Sequence, residues 1–225
     1  MNDTVLDKRD ASIQKHFPTL MMPRHDSLPP LEMHKTRLVI ARGGIYVQTM
    51  KPWTALTKKV CALPKLLPYG HLEENDHFLA VLEEKVMPIV REQMLPEAAQ
   101  YAAKGKEWQG FVVFENGNFK YRQPKFKATC ASVKYDVPDN IVADVHSHHS
   151  MRPFWSATDN TDDAGGVKIA MVLGSYDPDK VPVFDMKLRY CIEGFFFDYE
   201  EPSPEEMLED LIRKEITAIR GLIVP

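Results

Sequence analysis

Residues 141–159 carry the strongest constraint in the chain. Ile141-Val-Ala-Asp-Val145 is a short apolar run that leads directly into His146-Ser-His148, and Asp159 follows eleven positions after His148. A strand turns successive side chains to opposite faces, so His146 and His148 would project from one face while His149 points away. With Asp159 brought back by the intervening loop, three ligands could surround one metal ion and leave a fourth position for water. That is the plan of a catalytic rather than a structural site. Sites at strand ends are held rigidly yet stay reachable.

The same stretch has a plainer meaning. In Ser156-Ala-Thr-Asp159 a serine precedes an acidic residue by three positions, which is how many helices begin. Taken alone, capping is the commoner meaning. A His-x-His pair alone is also weak, since histidines often serve as ordinary core or surface residues.

With 225 residues, 44% of them hydrophobic, the chain can bury the core of one large domain, or of a catalytic domain with a smaller one appended. A formal charge of −4 lacks the basic footprint that phosphate backbones select, which argues against nucleic acid as a partner. Cys61, Cys130 and Cys191 are far apart and form no Cys-x-x-Cys pair, so a reducing cytoplasm is the simplest setting. The charged stretch Met-Asn-Asp-Thr-Val-Leu-Asp-Lys-Arg-Asp lacks the apolar run expected of a signal peptide. No segment approaches the roughly 20 apolar residues needed to cross a bilayer, so a soluble protein without a membrane partner is expected.

Along the chain, residues 1–36 are rich in proline and are expected to wrap a surface without forming a domain. Leu38–Ala41 and Ile45–Val47 flank Gly43-Gly44 as a hairpin. The proline-punctuated stretch from Pro52 to Pro68 reads as a small packed subdomain or lid. Asn75 or Asp76 would cap a helix carrying Phe78, Leu79, Leu82, Val86 and Ile89, kinked or divided at Pro88. A second helix would open at Pro96 and close at Gly105. Trp108–Phe114 and Asn118–Arg122 read as strands joined by an Asn116-Gly117 turn. Ile141–Val145, Val167–Leu173, Val181–Cys191 and Gly194–Phe197 follow as strands. A helix from Ser203 to Gly221, with Leu208, Leu211 and Ile212 on its apolar stripe, would cover the sheet or, as the less favoured alternative, offer a dimer surface.

His146-x-His148-x7-Ser156-x2-Asp159 resembles the motif of the JAMM (MPN-plus) zinc metalloprotease family, whose four residue types recur at these offsets across a strand, loop and helix. The family also uses an upstream glutamate at a strand that follows a helix, often Glu-x-x-Gly before an apolar run, and Glu107-Trp-Gln-Gly110 fits that context better than Glu92, Glu97 or Glu115. The resemblance implies a mixed α/β, cytidine-deaminase-like core: a central mixed sheet flanked by helices, preceded by an N-terminal β-containing extension. It implies one Zn2+ held by His146, His148 and Asp159, with Glu107 as acid/base and Ser156 as oxyanion donor. The expected organisation is an extension or small subdomain over 1–74, a metalloprotease domain over 75–200 and a terminal helix over 201–225.

Val145 and His149 depart from the family, which has an aromatic residue before the first histidine and proline after the second. Asp144, Asp162 and Asp163 are expected to be outer partners or solvated groups. The overall arrangement is similar to the bacterial PRTRC system protein A group, which accompanies E1-like and ubiquitin-like proteins. That likeness implies a peptide or ubiquitin-like protein substrate and an E1-like partner. A non-catalytic scaffold on the same fold is the alternative. A zinc deaminase would need His-x-Glu and Pro-Cys-x-x-Cys, and neither is present.

Overall fold

The computed structural model describes residues 7–75, 77–129, 132–136 and 138–199. Its architecture is mixed α/β, with two larger sheets and few helices. The expected helix over 203–221 and the Asp76 cap lie outside the described residues.

A four-stranded sheet, ordered β1-β2-β3-β4, is built from β1 (Thr19–Met21), β2 (Thr36–Ala41), β3 (Gly44–Lys51) and β4 (Thr54–Ala62). The hairpin about Gly43-Gly44 forms as its sequence predicts. Two strands here go beyond the sequence-based expectations. The Leu20-Met21-Met22 cluster contributes β1, which pairs in parallel with β2 after the short helix α1 (Lys8–His16). The stretch after Pro52, expected as a small packed subdomain or a lid, supplies a third antiparallel strand, β4, so it is packed into this sheet. Its prolines lie outside the strand, where a missing N–H costs no ladder bond. Asn75 does not cap a helix: its carboxamide oxygen accepts from Thr57 N at 3.0 Å, tying it to β4.

The helical path from His77 to Ala102 alternates between α and π turns: α2 (His77–Val81), a π turn (Leu82–Val86), α3 (Met87–Ile89), a second π turn (Val90–Met94) and α4 (Leu95–Ala102). Its buried residues are Phe78, Leu82, Val86, Val90, Met94, Ala98 and Ala102, a strict four-residue repeat. A pure α-helix at 3.6 residues per turn would rotate such a stripe out of the core. The wider π turns hold it on one face. Pro88 thus divides the α-helix without ending the helical path. Each large side chain on the stripe contributes roughly 1.5–3 kcal/mol of burial.

The second sheet is six-stranded, ordered β12-β11-β10-β9-β5-β6. β5 (Gln109–Glu115) and β6 (Asn118–Arg122) join through Asn116 and Gly117, both at positive φ as the dipeptide predicts. β7 (Lys125–Thr129) and β8 (Ser132–Asp136) form a separate hairpin that the sequence reading does not contain. β9 (Ile141–Ser147) pairs antiparallel with β5 and parallel with β10 (Val167–Gly174). Every residue of β10 is buried, as a central strand requires. β11 (Asp185–Ile192) and β12 (Phe195–Tyr199) complete the sheet. β11 starts four residues later than expected because Pro182 and exposed Val181 belong to the preceding turn.

Candidate metal centre

β9 presents Asp144 and His146 on one face, as the two-residue period of a strand demands, and His148 follows directly after the strand's last residue, Ser147. The His146 and His148 rings lie 5.1 Å apart between centroids. The chain then turns through residues 149–155 into the short helix α5 (Ala157–Asp162), which returns Asp159 to the strand end. One ligand atom from each of His146, His148 and Asp159 lies within 4.8 Å of the others.

Ser156 and Asp159 form a reciprocal cap. Asp159 N donates to Ser156 Oγ at 3.1 Å, and Ser156 N donates to Asp159 Oδ2 at 2.7 Å. The capping reading and the ligand reading of this tetrapeptide are therefore compatible. Oδ2 is held by the cap, while Oδ1 stands 3.4 Å from His146 Nε2.

His146 Nε2 and His148 Nδ1 are buried and find no hydrogen-bond partner among the described residues. Leaving such groups unmet costs about 1–3 kcal/mol each, a deficit that metal coordination would remove. Two imidazole nitrogens and one carboxylate oxygen suit zinc, so the residues fit the ion that the sequence motif implies. Burial, helped by the neighbouring His146, lowers the His148 pKa and favours its neutral, ligating form. Burial works to raise the Asp159 pKa, but the hydrogen bonds with Ser156 and the two histidines outweigh it and keep the carboxylate ionised.

Glu107 lines the same cavity of about 580 Å3, together with Trp108, Met151, Phe154, Ser156 and the three candidate ligands. It is exposed and sits between α4 and β5. Its neighbour Trp108 fixes its position: Trp108 N donates to Ser147 Oγ at 3.0 Å and Ser147 N donates to Trp108 O at 2.9 Å. Gly110 has a steric reason. A Cβ there would lie 2.7 Å from the Trp108 ring and 2.8 Å from Tyr121.

Phe154 forms a wall of the cavity, with its ring centroid 4.5 Å from that of His148, and remains 46% exposed. The side chains of His146 and Asp159 keep 22% and 16% of their surface. Among the described residues, the cavity lining comes from 107–163 and includes none of the amino-terminal segment. His149 is a loop residue at positive φ whose Nδ1 lies 2.9 Å from Ser150 Oγ.

Asp144 and Asp163 also line the cavity and belong to a largely buried charged network. Lys168 Nζ lies 3.0 Å from Asp144 Oδ2 and 2.7 Å from Asp163 Oδ1. Arg189 donates to Asp163 Oδ2 through Nε at 3.2 Å and Nη2 at 2.6 Å. Burial opposes the Lys168 charge, but the two carboxylates outweigh it and raise its pKa. Asp162 is exposed at the cavity. Lys168 and Arg189 escape the sequence reading, although a lone cation inside an apolar strand, as in Val167-Lys-Ile-Ala and Leu188-Arg-Tyr-Cys, is a signal for a buried ion pair.

No helix among the described residues is long and apolar enough to cross a membrane. Residues 80–188 match the family described as prokaryotic homologs of the JAB domain, and residues 7–79 match a domain of unknown function, DUF2016. No curated protein matches the chain. A His-His-Asp group on a mixed sheet lies inside the first of these spans, which is thus similar to a JAB/MPN domain, and a strand-containing region that matches the second precedes it.

Proposed function

We propose that this chain is a zinc-dependent metallopeptidase or isopeptidase of the JAMM type. The observation that carries the reading is the convergence of His146, His148 and Asp159 on one cavity that Glu107 and Ser156 also line. A bound zinc ion would polarise the scissile carbonyl and acidify the attacking water. Glu107 would take the proton of the attacking water and later deliver it to the leaving amine. The Ser156 hydroxyl, whose oxygen accepts from Asp159 N, still has its own hydrogen to donate to the carbonyl oxygen as charge develops there. The Phe154 and Met151 side chains lie along the cavity and would pack against the substrate.

A non-catalytic scaffold would be favoured by a missing ligand or a closed cavity. The ligand set is complete, and two of its members remain partly exposed. The proposed substrate is a peptide or isopeptide bond at a ubiquitin-like carboxyl terminus, with an E1-like partner and a cytoplasmic setting. The likeness to the PRTRC system protein A group supports the first two, and the widely spaced cysteines support the third.

Metal analysis of the purified protein, with hydrolysis of ubiquitin-like fusions by the wild type and Glu107→Gln, tests this reading. We expect about one zinc per chain and loss of hydrolysis of roughly 100-fold or more in the variant. A wild type that takes up no zinc, or a variant that hydrolyses as well as the wild type, overturns it.

A further inference from the structure

We propose that Arg189 is a positioning residue for the metal centre, holding Asp159 against the histidines from a distance. This inference rests on the metal reading above and assigns a role to a residue outside the motif.

The need for such a residue follows from α5 itself. The helix has six residues, none of them buried, so no apolar stripe fastens it to the sheet. A helix this short has little stability of its own. Its start is fixed by the Ser156 cap, but that cap joins the segment only to itself. Something else must hold the segment to the sheet at the place where Asp159 faces His146.

Arg189 does this from both sides of Asp159. After it in sequence, Nη1 donates to Asn160 Oδ1 at 2.7 Å, and Nε and Nη2 donate to Asp163 Oδ2. Before it, the Trp155 ring stacks on the guanidinium, with its centroid 4.0 Å from Cζ. Phe196 of β12 lies against the same group at 4.2 Å, and Trp155 Nε1 donates to Asp198 Oδ1 at 3.1 Å. One planar cation, 3% exposed, therefore fastens residues 155, 160 and 163, which bracket Ser156 and Asp159, to β11 and β12.

Lysine cannot replace it. An ammonium has no plane to stack against Trp155 and no fork with which to reach Asn160 and Asp163 together. A salt bridge that served stability alone would leave the affinity of the folded protein for metal unchanged. A positioning residue would not.

The test measures Co2+ affinity by chelator competition, and the visible absorption of the Co2+ protein, for the full chain and for Arg189→Lys, Asn160→Ala and Trp155→Leu. Thermal melts of the metal-free proteins run in parallel. We expect Arg189→Lys to fold, to bind Co2+ about 10–100-fold more weakly and to show an altered cobalt spectrum. Asn160 is exposed, so Asn160→Ala should fold normally and weaken binding several-fold. Folded Arg189→Lys with wild-type affinity and spectrum overturns the proposal. If Arg189→Lys fails to fold, unchanged affinity in both Asn160→Ala and Trp155→Leu overturns it instead. A wild type that binds neither Co2+ nor Zn2+ overturns the metal reading itself, an outcome distinct from a wild type that binds and variants that match it.

Discussion

Asp159 divides its two oxygens between two tasks through Ser156. The backbone N–H of Ser156 holds Oδ2 at 2.7 Å, which leaves Oδ1 directed toward His146 Nε2. The cap thus orients the candidate ligand, and a single carboxylate caps the helix and faces the candidate metal centre at once.

Separating the two tasks of Ser156 is the first experiment. Ser156→Ala removes both the cap and the hydroxyl donor, and we expect it to cost about 1 kcal/mol of stability. Ser156→Gly should cost only a few tenths of a kcal/mol, because glycine is a tolerable N-cap. Both should lose hydrolysis by roughly 100-fold or more if the hydroxyl stabilises the oxyanion. Thermal melts and kcat together decide it. Wild-type turnover in Ser156→Gly would remove the donor role and leave the cap.

Metal binding should also appear as stability. A ligand that binds only the folded state stabilises it by about 2.7 kcal/mol when its free concentration is 100 times its Kd. We expect Zn2+ to raise the melting temperature of chelator-stripped protein and to leave His146→Ala and Asp159→Ala unmoved. A stripped wild type whose melt ignores Zn2+ would contradict the site.

Lys168 should matter more when removed than its surface area suggests. Lys168→Met leaves buried Asp163 and half-buried Asp144 with one cation fewer, and breaking a buried pair in this way costs about 3–5 kcal/mol. The folded-state pKa of Lys168 lies above its unfolded value. Its stabilisation is therefore complete below about pH 10.4, the unfolded value, and is lost as pH rises through the higher folded value. Urea titrations should show the wild type losing this contribution only at strongly alkaline pH, and Lys168→Met lacking it throughout.

How much of this was legible in sequence depended on whether the signal was local. The β5–β6 hairpin was readable because Asn116-Gly117 encodes its own turn, and the ligand strand because the two-residue period puts His146 and His148 together. β1 was hidden, because three residues form a strand only by pairing with β2 from across the loop. β4 was obscured by Lys58 and Lys59, which break its alternation. The π turns were invisible to a search for a 3.6-residue period, although the four-residue spacing of Phe78, Leu82, Val86 and Val90 contains them. In the site, Arg189 lies 30 positions beyond Asp159, and no local spacing connects them.

Gly174 offers a test of how tightly the loop before Asp159 is held. It ends β10, and its backbone passes so close to the 151–153 segment that an added Cβ would meet Met151 O and stand 2.5 Å from Pro153 N. Both obstacles are backbone, which cannot rotate away as a flexible side chain can. Ser175 N donates to Met151 O at 2.6 Å and His148 N donates to Leu173 O at 2.8 Å, so the same few residues fix the loop and the second histidine. Gly174→Ala must push the loop off the strand, and overpacking of this kind costs about 1–3 kcal/mol. Because Phe154 and Ser156 follow immediately, we expect the variant to lose Co2+ affinity as well as stability. Equal affinity in a folded Gly174→Ala would mean that Asp159 is positioned by the sheet residues that hold Asn160 and Asp163, independently of the loop that precedes it.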